Sequence, residues 1–149
     1  VLFWKIAMKP GRPMAFGRIR VDGEEICGER GGAAWLFGLP GNPVAVMVTF
    51  YQFVREALYA LMGADPVPVV PLLPALCTGA LKKVAGRTEF QRGIVSLVAG
   101  QLRVRPAAAQ GSGVLRSMAD ANCFIVLEHD RGNVAAGDQV GVQLFDGLV

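Results

Sequence analysis

Four prolines fall within the ten residues 65–74 (DPVPVVPLLP), and no other feature limits the fold so sharply. Proline lacks an amide donor and fixes φ, which excludes this stretch from helix and from the centre of a sheet. It reads as an extended linker over residues 66–74. Strand and helix patterns alternate before it, whereas strands and turns dominate after it. The chain therefore divides into an α/β part, residues 1–65, and an all-β part, residues 75–149.

In the first part, residues 1–9 (VLFWKIAMK) are rich in β-formers and apolar on both faces, the pattern of a buried strand. Pro10 and Gly11 make a turn, residues 13–21 form a second strand, and the polar, Gly-rich residues 22–32 form a surface loop. Residues 33–39 (AAWLFGL) read as a third buried strand that stops at Pro40 and Gly41. Asn42 is a favoured N-cap and Pro43 a favoured first helical residue. A helix then runs to Met62 and ends at Gly63. Its polar residues Thr49, Gln52, Arg55 and Glu56 make a narrow stripe, which predicts a mostly buried helix.

In the second part, strands are expected over residues 76–84, 88–98, 101–105, 123–128 and 139–145. Ala99 and Gly100 join the second and third as a hairpin, and Val140, Val142 and Leu144 alternate on one face of the last. A short helix over residues 114–119 begins near Ser112. Short strands with frequent turns predict a small barrel or sandwich.

Composition limits the functional classes. Of 149 residues, 52% are hydrophobic and 18% charged, which excludes a disordered chain. The apolar stretch 44–62 is broken by four polar residues, and no signal peptide is visible, so a cytoplasmic protein without a membrane partner is expected. Cys27, Cys77 and Cys123 fit neither a zinc spacing nor a disulfide framework and read as free thiols of a reducing compartment. A net charge of +3 favours anionic ligands only weakly and does not argue for nucleic acid. The chain opens at Val1 on residues that read as buried strand, whereas chain ends are usually polar and loosely held. Further sequence upstream is therefore expected.

Three groups of residues carry possible chemistry. Lys5 and Lys9 share a strand face about 13 Å apart, and Arg12 follows the turn as a forked donor. They form either an oxyanion cradle or an ordinary solvated strand end. The segment 38–43 (GLPGNP) passes from strand through a tight turn into a helix start, whose dipole and unpaired N–H groups favour anions. It is either part of a ligand crevice or a rigid connector. If its strand and that of Lys9 are parallel neighbours, both loops face one crevice. Arg92 offers a guanidinium and Ser112 a hydroxyl beside flexible glycines, or else they are a strand charge and a helix cap. His129, beside Asp130, reads as a surface turn residue. No P-loop, dinucleotide fingerprint or zinc-protease motif is present.

These segments resemble the molybdenum insertases of the MoeA/gephyrin type. Residues 3–13 (FWKIAMKPGRP) are similar to that family's F-W-K-x-x-x-K-P-G-K/R-P segment, and residues 38–43 to its G-L-P-G-N-P signature. Residues 90–93 (FQRG) and 122–127 (NCFIVL) resemble segments of its last domain. The resemblance implies the C-terminal half of a three-layer molybdopterin-binding α/β domain followed by a C-terminal β-barrel. It implies insertion of molybdate into adenylylated molybdopterin (molybdopterin-AMP) with release of AMP, assisted by Mg2+, in a cytoplasmic homodimer. Lys5 and Lys9 would then be catalytic. Arg12, Pro40, Gly41, Asn42, Pro43, Arg92 and Ser112 would bind substrate. The family's upstream Gly-rich motif and metal-binding carboxylates are not in this sequence, so the magnesium ligands are expected upstream and the chain alone is expected to be inactive.

Two other readings compete. One is a scaffold or interaction module of the gephyrin type. The other is a small basic β-barrel that binds nucleic acid, which needs aromatic residues interleaved with Lys and Arg. The second part offers only Phe90, Phe124 and Phe145, and no Trp or Tyr.

Overall fold

The computed structural model of the chain describes residues 1–20, 25–26, 29–30, 33–107, 110 and 116–145. Its second part is a closed five-stranded barrel. The strands are β6 (Leu73–Cys77), β7 (Thr88–Val98), β8 (Gln101–Pro106), β9 (Cys123–Leu127) and β10 (Gln139–Leu144). They run in the order β7-β8-β6-β10-β9, and β9 pairs back onto β7, so the ring is complete. Only β6 and β8 are parallel among these pairs. A single helical turn, α3 (Arg116–Ala119), precedes β9.

The interior of the barrel follows the two-residue period of its strands. Ala75, Cys77, Val95, Val104, Cys123, Ile125, Leu127, Val140 and Val142 fill it with Leu81 and Val134. Phe124 and Val126, the alternate residues of β9, face outward into a second apolar cluster with Met8, Val44, Val48, Phe90 and Met118. The unbroken apolar run of β9 thus reflects burial on both faces. β7 and β8 are joined by Ala99 and Gly100, whose φ values of 49° and 77° suit the two-residue hairpin turn.

Two expected strands change. The strand expected over residues 76–84 ends at Cys77, because the chain leaves the ladder and returns only as a bridge between Leu81 and Val134. Lys83 is then buried, and its ammonium donates to the carbonyls of Val84, His129 and Arg131 at 3.2, 3.3 and 2.9 Å. Pro74 lies inside β6, within the expected linker. It pairs only with Gly141 of β10, and the β8 register begins at Leu76, so its missing N–H costs no ladder bond on that side.

The first part is a partial α/β unit. The expected strand over residues 1–9 contracts to β1 (Met8–Lys9), preceded by an isolated bridge between Phe3 and Phe16. β2 (Ala15–Arg20) pairs antiparallel with β5 (Ala33–Gly38), while β3 (Glu25–Ile26) pairs with β4 (Glu29–Arg30) inside the expected loop. β5 was expected to be buried, yet Trp35 is 42% exposed and Leu36 36%. A two-stranded ribbon leaves its faces open, and stacking of Phe16 on Trp35 at 5.3 Å shields only part of them.

A continuous 19-residue helix spans Pro43–Leu61, as α1 (Pro43–Thr49), a π turn (Phe50–Val54) and α2 (Arg55–Leu61). Asn42 caps it, its side-chain oxygen accepting from the Ala45 N–H at 3.2 Å. Gly63, at φ +84°, closes it, and the N–H groups of Gly63 and Ala64 donate to the Ala60 and Tyr59 carbonyls at 3.0 and 2.9 Å. The helix is less buried than its narrow polar stripe suggests. Val44, Ala45, Val48, Thr49 and Val54 are buried, but nothing in α2 is. By length and composition alone it can cross a membrane, a property it shares with helices that pack against a core, as α1 does here.

Two predictions follow from the barrel interior. A Cβ on Gly93 would lie 2.8 Å from both Ile125 Cγ1 and Val104 Cγ2. Gly93→Val should therefore lower stability by about 1–3 kcal/mol in urea unfolding; unchanged stability would show that the barrel repacks freely. The thiol of Cys123 is pushed up to about 12 from an ordinary 9.0, chiefly by burial. The folded chain holds this proton more tightly than the unfolded chain. Its contribution to stability is complete below pH 9 and is lost as pH rises through about 12. Cys123→Ala should flatten the fall in stability across that window, and native Cys123 should resist iodoacetamide at mildly alkaline pH. Rapid alkylation of the folded chain would contradict the burial.

Candidate functional site

Three separate segments meet around a cavity of about 720 Å3. The first is the turn after β1, which contributes Met8, Lys9, Pro10, Gly11, Arg12 and Pro13. The second is the helix start, with Pro40, Gly41, Asn42 and Ala45. The third is the first half of β7, with Arg87 just before it and Gln110 beside it.

The turn is held from within and from outside. The N–H groups of Ile6 and Met14 converge on the Arg12 carbonyl at 3.0 and 3.2 Å. The Lys9–Pro10 peptide is cis, and Gly11 follows at φ +106°. Gly11 lies directly on the helix, so a Cβ there would be 2.5 Å from Thr49 Cγ2. Thr49 is fully buried, and its hydroxyl donates to the Ala45 and Val46 carbonyls, which fixes its methyl group against the turn. The turn thus rests on α1 nearly two helical turns beyond the Asn42 cap.

The strand that carries the turn is not a neighbour of the strand that carries residues 38–40. β5 pairs with β2, whereas β1 adds in parallel to β7 with Met8 opposite Thr88 and Lys9 opposite Glu89. The parallel-neighbour arrangement weighed from the sequence is therefore not the one formed. The two loops still reach one cavity, because both pack on the outer face of the barrel through Met8, Val44 and Phe90.

Charge is concentrated in the cavity wall. Among the described lining residues the charged ones are Lys9, Arg12, Arg87 and Arg92 and a single carboxylate, Glu89. Glu89 is 2% exposed and accepts from Arg87 Nε at 2.9 Å and Gln91 Nε2 at 3.2 Å, with Lys9 Nζ at 3.9 Å. Arg92 is also 2% exposed, and burial pulls its guanidinium below the ordinary arginine value. Gln110 fixes the backbone there as a neighbouring strand does. It accepts from the Arg92 N–H at 3.0 Å and donates to the Arg92 carbonyl at 2.8 Å.

Of the residues singled out in the sequence, Lys9, Arg12, Pro40, Gly41, Asn42 and Arg92 line this cavity. Lys5 does not; its ammonium sits 3.9 Å from the centroid of the Trp4 ring. Without a continuous strand from residue 1 to residue 9, the shared face expected for Lys5 and Lys9 is lost. Pro43 starts the helix behind the lining residues, and Ser112 lies outside the described residues. Arg87, Glu89, Gln91 and Gln110 were not singled out. Glu89 and Gln91 stand at alternate positions along β7, with Arg87 two residues before Glu89, a spacing that favours one face and was available in the sequence.

The donor set suits an anion and not a divalent metal. The one carboxylate is already occupied by an arginine, a lysine and an amide, and no cluster of three acidic, His or Cys ligands exists among the described residues. Magnesium, which the resemblance implies, does not fit these residues.

The clamp on the turn yields a test. Gly11→Ala combines an unfavourable φ with a clash against buried Thr49, and should cost about 1–3 kcal/mol of stability. Thermal unfolding that matched the parent chain would mean that the turn is not seated on the helix.

Comparison with known proteins follows the same two-part division. Residues 1–60 match the family described as "Probable molybdopterin binding domain". Residues 74–145 match the family described as "MoeA C-terminal region (domain IV)". The chain is 43% identical over 150 residues to the molybdopterin molybdenumtransferase of Haemophilus influenzae, covering 100% of this chain and 34% of that protein. It is 34% identical over 142 residues to molybdopterin molybdenumtransferase 2 of Mycobacterium tuberculosis, covering 95% of this chain and 31% of that one. The chain thus spans about a third of the length of these curated relatives. A molybdopterin biosynthesis moeA protein from Pyrococcus horikoshii superposes with a TM-score of 0.69 at 26% identity, over 96% of this chain and 32% of that one. A molybdenum cofactor biosynthesis protein from Pyrococcus furiosus gives 0.69 at 28% identity, over 96% and 45%. With both matches in order, each on the part whose pattern and fold suit it, the chain belongs to the MoeA family.

Proposed function

We propose that the chain supplies the oxyanion-binding wall of a molybdenumtransferase acting in molybdenum cofactor biosynthesis. The observation that carries this reading is the wall itself, four cations and one carboxylate among the described residues of a cavity bordered by a helix start. Molybdate and the phosphates of adenylylated molybdopterin are anions of the kind such a wall favours. Lys9 and Arg12 offer donors from the exposed turn, and Arg92 offers one from the barrel, where burial strengthens its contact. Fixed cations of this kind stabilise charge that builds on oxygen as the adenylate is cleaved and AMP leaves.

Lys5 has a role only if its ammonium leaves the Trp4 ring, and Ser112 only through the resemblance. The carboxylates that bind magnesium are assigned to the part of the family's proteins that this chain does not span. On that account the 149 residues alone release no AMP. A cytoplasmic homodimer is part of the same proposal. Exposed Trp4, Ile19, Trp35 and Leu36 favour a second reading, in which the first part is an interaction module. The nucleic-acid reading is the less favoured of the two. Phe90 is 9% exposed and Phe124 fully buried, and both pack edge-on in one aromatic cluster with Phe145, which leaves no stacking platform there.

Calorimetric titration with molybdate and with pyrophosphate tests the proposal. Lys9→Met and Arg12→Ala should each weaken binding about tenfold or more, the scale of a lost charge-assisted hydrogen bond, while Arg103→Ala on the barrel exterior should not. Equal affinity in all variants, or no binding by the parent chain, removes the proposal. A loss in Lys5→Met as large as in Lys9→Met would return Lys5 to the site.

A further inference from the structure

We propose that Glu89 is an internal counter-ion, which holds Lys9 and Arg87 at the cavity wall until an oxyanion takes Lys9 from it. The inference rests on the oxyanion reading only for this exchange; the hold on Lys9 stands on geometry alone. Glu89 is 2% exposed in a wall whose other described charges are all cationic. A carboxylate so placed must be paired, and its partners are unequal. Arg87 and Gln91, both within reach along its own segment, bind its two oxygens at 2.9 and 3.2 Å. Lys9 comes from a different segment and stands at 3.9 Å, beyond hydrogen-bond length, with its side chain 57% exposed.

That asymmetry gives Glu89 a graded role. Its hydrogen bonds survive if Lys9 swings toward a ligand, so the exchange leaves no buried oxygen stranded. The same carboxylate offsets repulsion among Lys9, Arg87 and their neighbours, and it keeps the Lys9 ammonium beside β7. The register of β1 on β7, with Lys9 opposite Glu89, delivers this pairing without a long side-chain search. Glu89 is thus a positioning residue, acting on the ligand through Lys9.

Amine footprinting of the full 149-residue chain tests this. The chain is treated with an N-hydroxysuccinimide acetate near neutral pH, and the acylation rate of Lys9 is read by peptide mass spectrometry against exposed Lys82. In Glu89→Gln the rate at Lys9 should rise about two- to fivefold, the scale of one half-exposed ion pair. Pyrophosphate should protect Lys9 in both proteins, at a lower half-protecting concentration in the variant. If Glu89→Gln does not fold, Glu89→Asp, whose shorter side chain lies farther from Lys9, should raise the rate to a smaller degree. An unchanged Lys9 rate in a folded variant overturns the counter-ion, and protection by pyrophosphate would then leave the oxyanion reading standing. A raised rate with no protection in either protein sinks the oxyanion reading and keeps the hold of Glu89 on Lys9.

Discussion

The site depends on two residues of parallel pairing. β1 contributes only Met8 and Lys9 to the ladder, yet this contact decides where the whole Lys9–Arg12 turn lies. Met8 drives it, because its side chain is 4% exposed in the cluster with Val44, Val48, Phe90 and Phe124. Burial of such a side chain is worth about 1.5–3 kcal/mol, at least comparable to what so short a ladder adds net. Lys9, the alternate residue, then points to the other side and meets Glu89. One apolar anchor and one charge, adjacent in sequence, therefore set both the position and the chemistry of the wall.

The helix completes the arrangement through shape. Gly11 has no Cβ to keep it from Thr49, and Thr49 spends its hydroxyl on its own helix instead of on the cavity. The same hydroxyl bonds directly precede the π turn at Phe50–Val54, where back-bonding of this type commonly bends a helix. Packing thus constrains the first half of the rod, while α2 has no buried residue and leaves Leu58 and Leu61 exposed. The cavity has one wall from each part of the chain, and neither part encloses it alone.

What the sequence disclosed divides by the range of the interactions involved. The helix was legible at both ends, since the Asn42–Pro43 cap and the Gly63 stop act within a turn of themselves. The barrel strands were legible where alternation or an apolar run met a turn, as at Ala99–Gly100. The failures are non-local. Exposure of Trp35 and Leu36 depends on how many strands flank β5, which no local pattern states. Lys5 was grouped with Lys9 on the assumption of one strand, but the ladder begins only at Met8. Glu89 was passed over because a lone acidic residue in a basic segment looks solvated until its buried register against Lys9 is known.

β7 shows why barrel and site are inseparable. Its 11 residues serve two purposes that meet at Gly93. Up to that point β7 carries Glu89, Gln91 and Arg92 toward the cavity and pairs with β1 and β9. Beyond it the strand pairs with β8 and sends Val95 into the barrel. Gly93 itself faces Pro106 on one side and Cys123 on the other, with Ile125 and Val104 closing over its Cα. Any side chain there must displace one of those two branched residues, and both belong to strands that hold β7 in place. A shift of β7 would move Arg92 and Glu89 along with it. Packing inside the barrel therefore sets the spacing of charges outside it, so the smallest residue of the strand governs the electrostatics of a cavity it does not line.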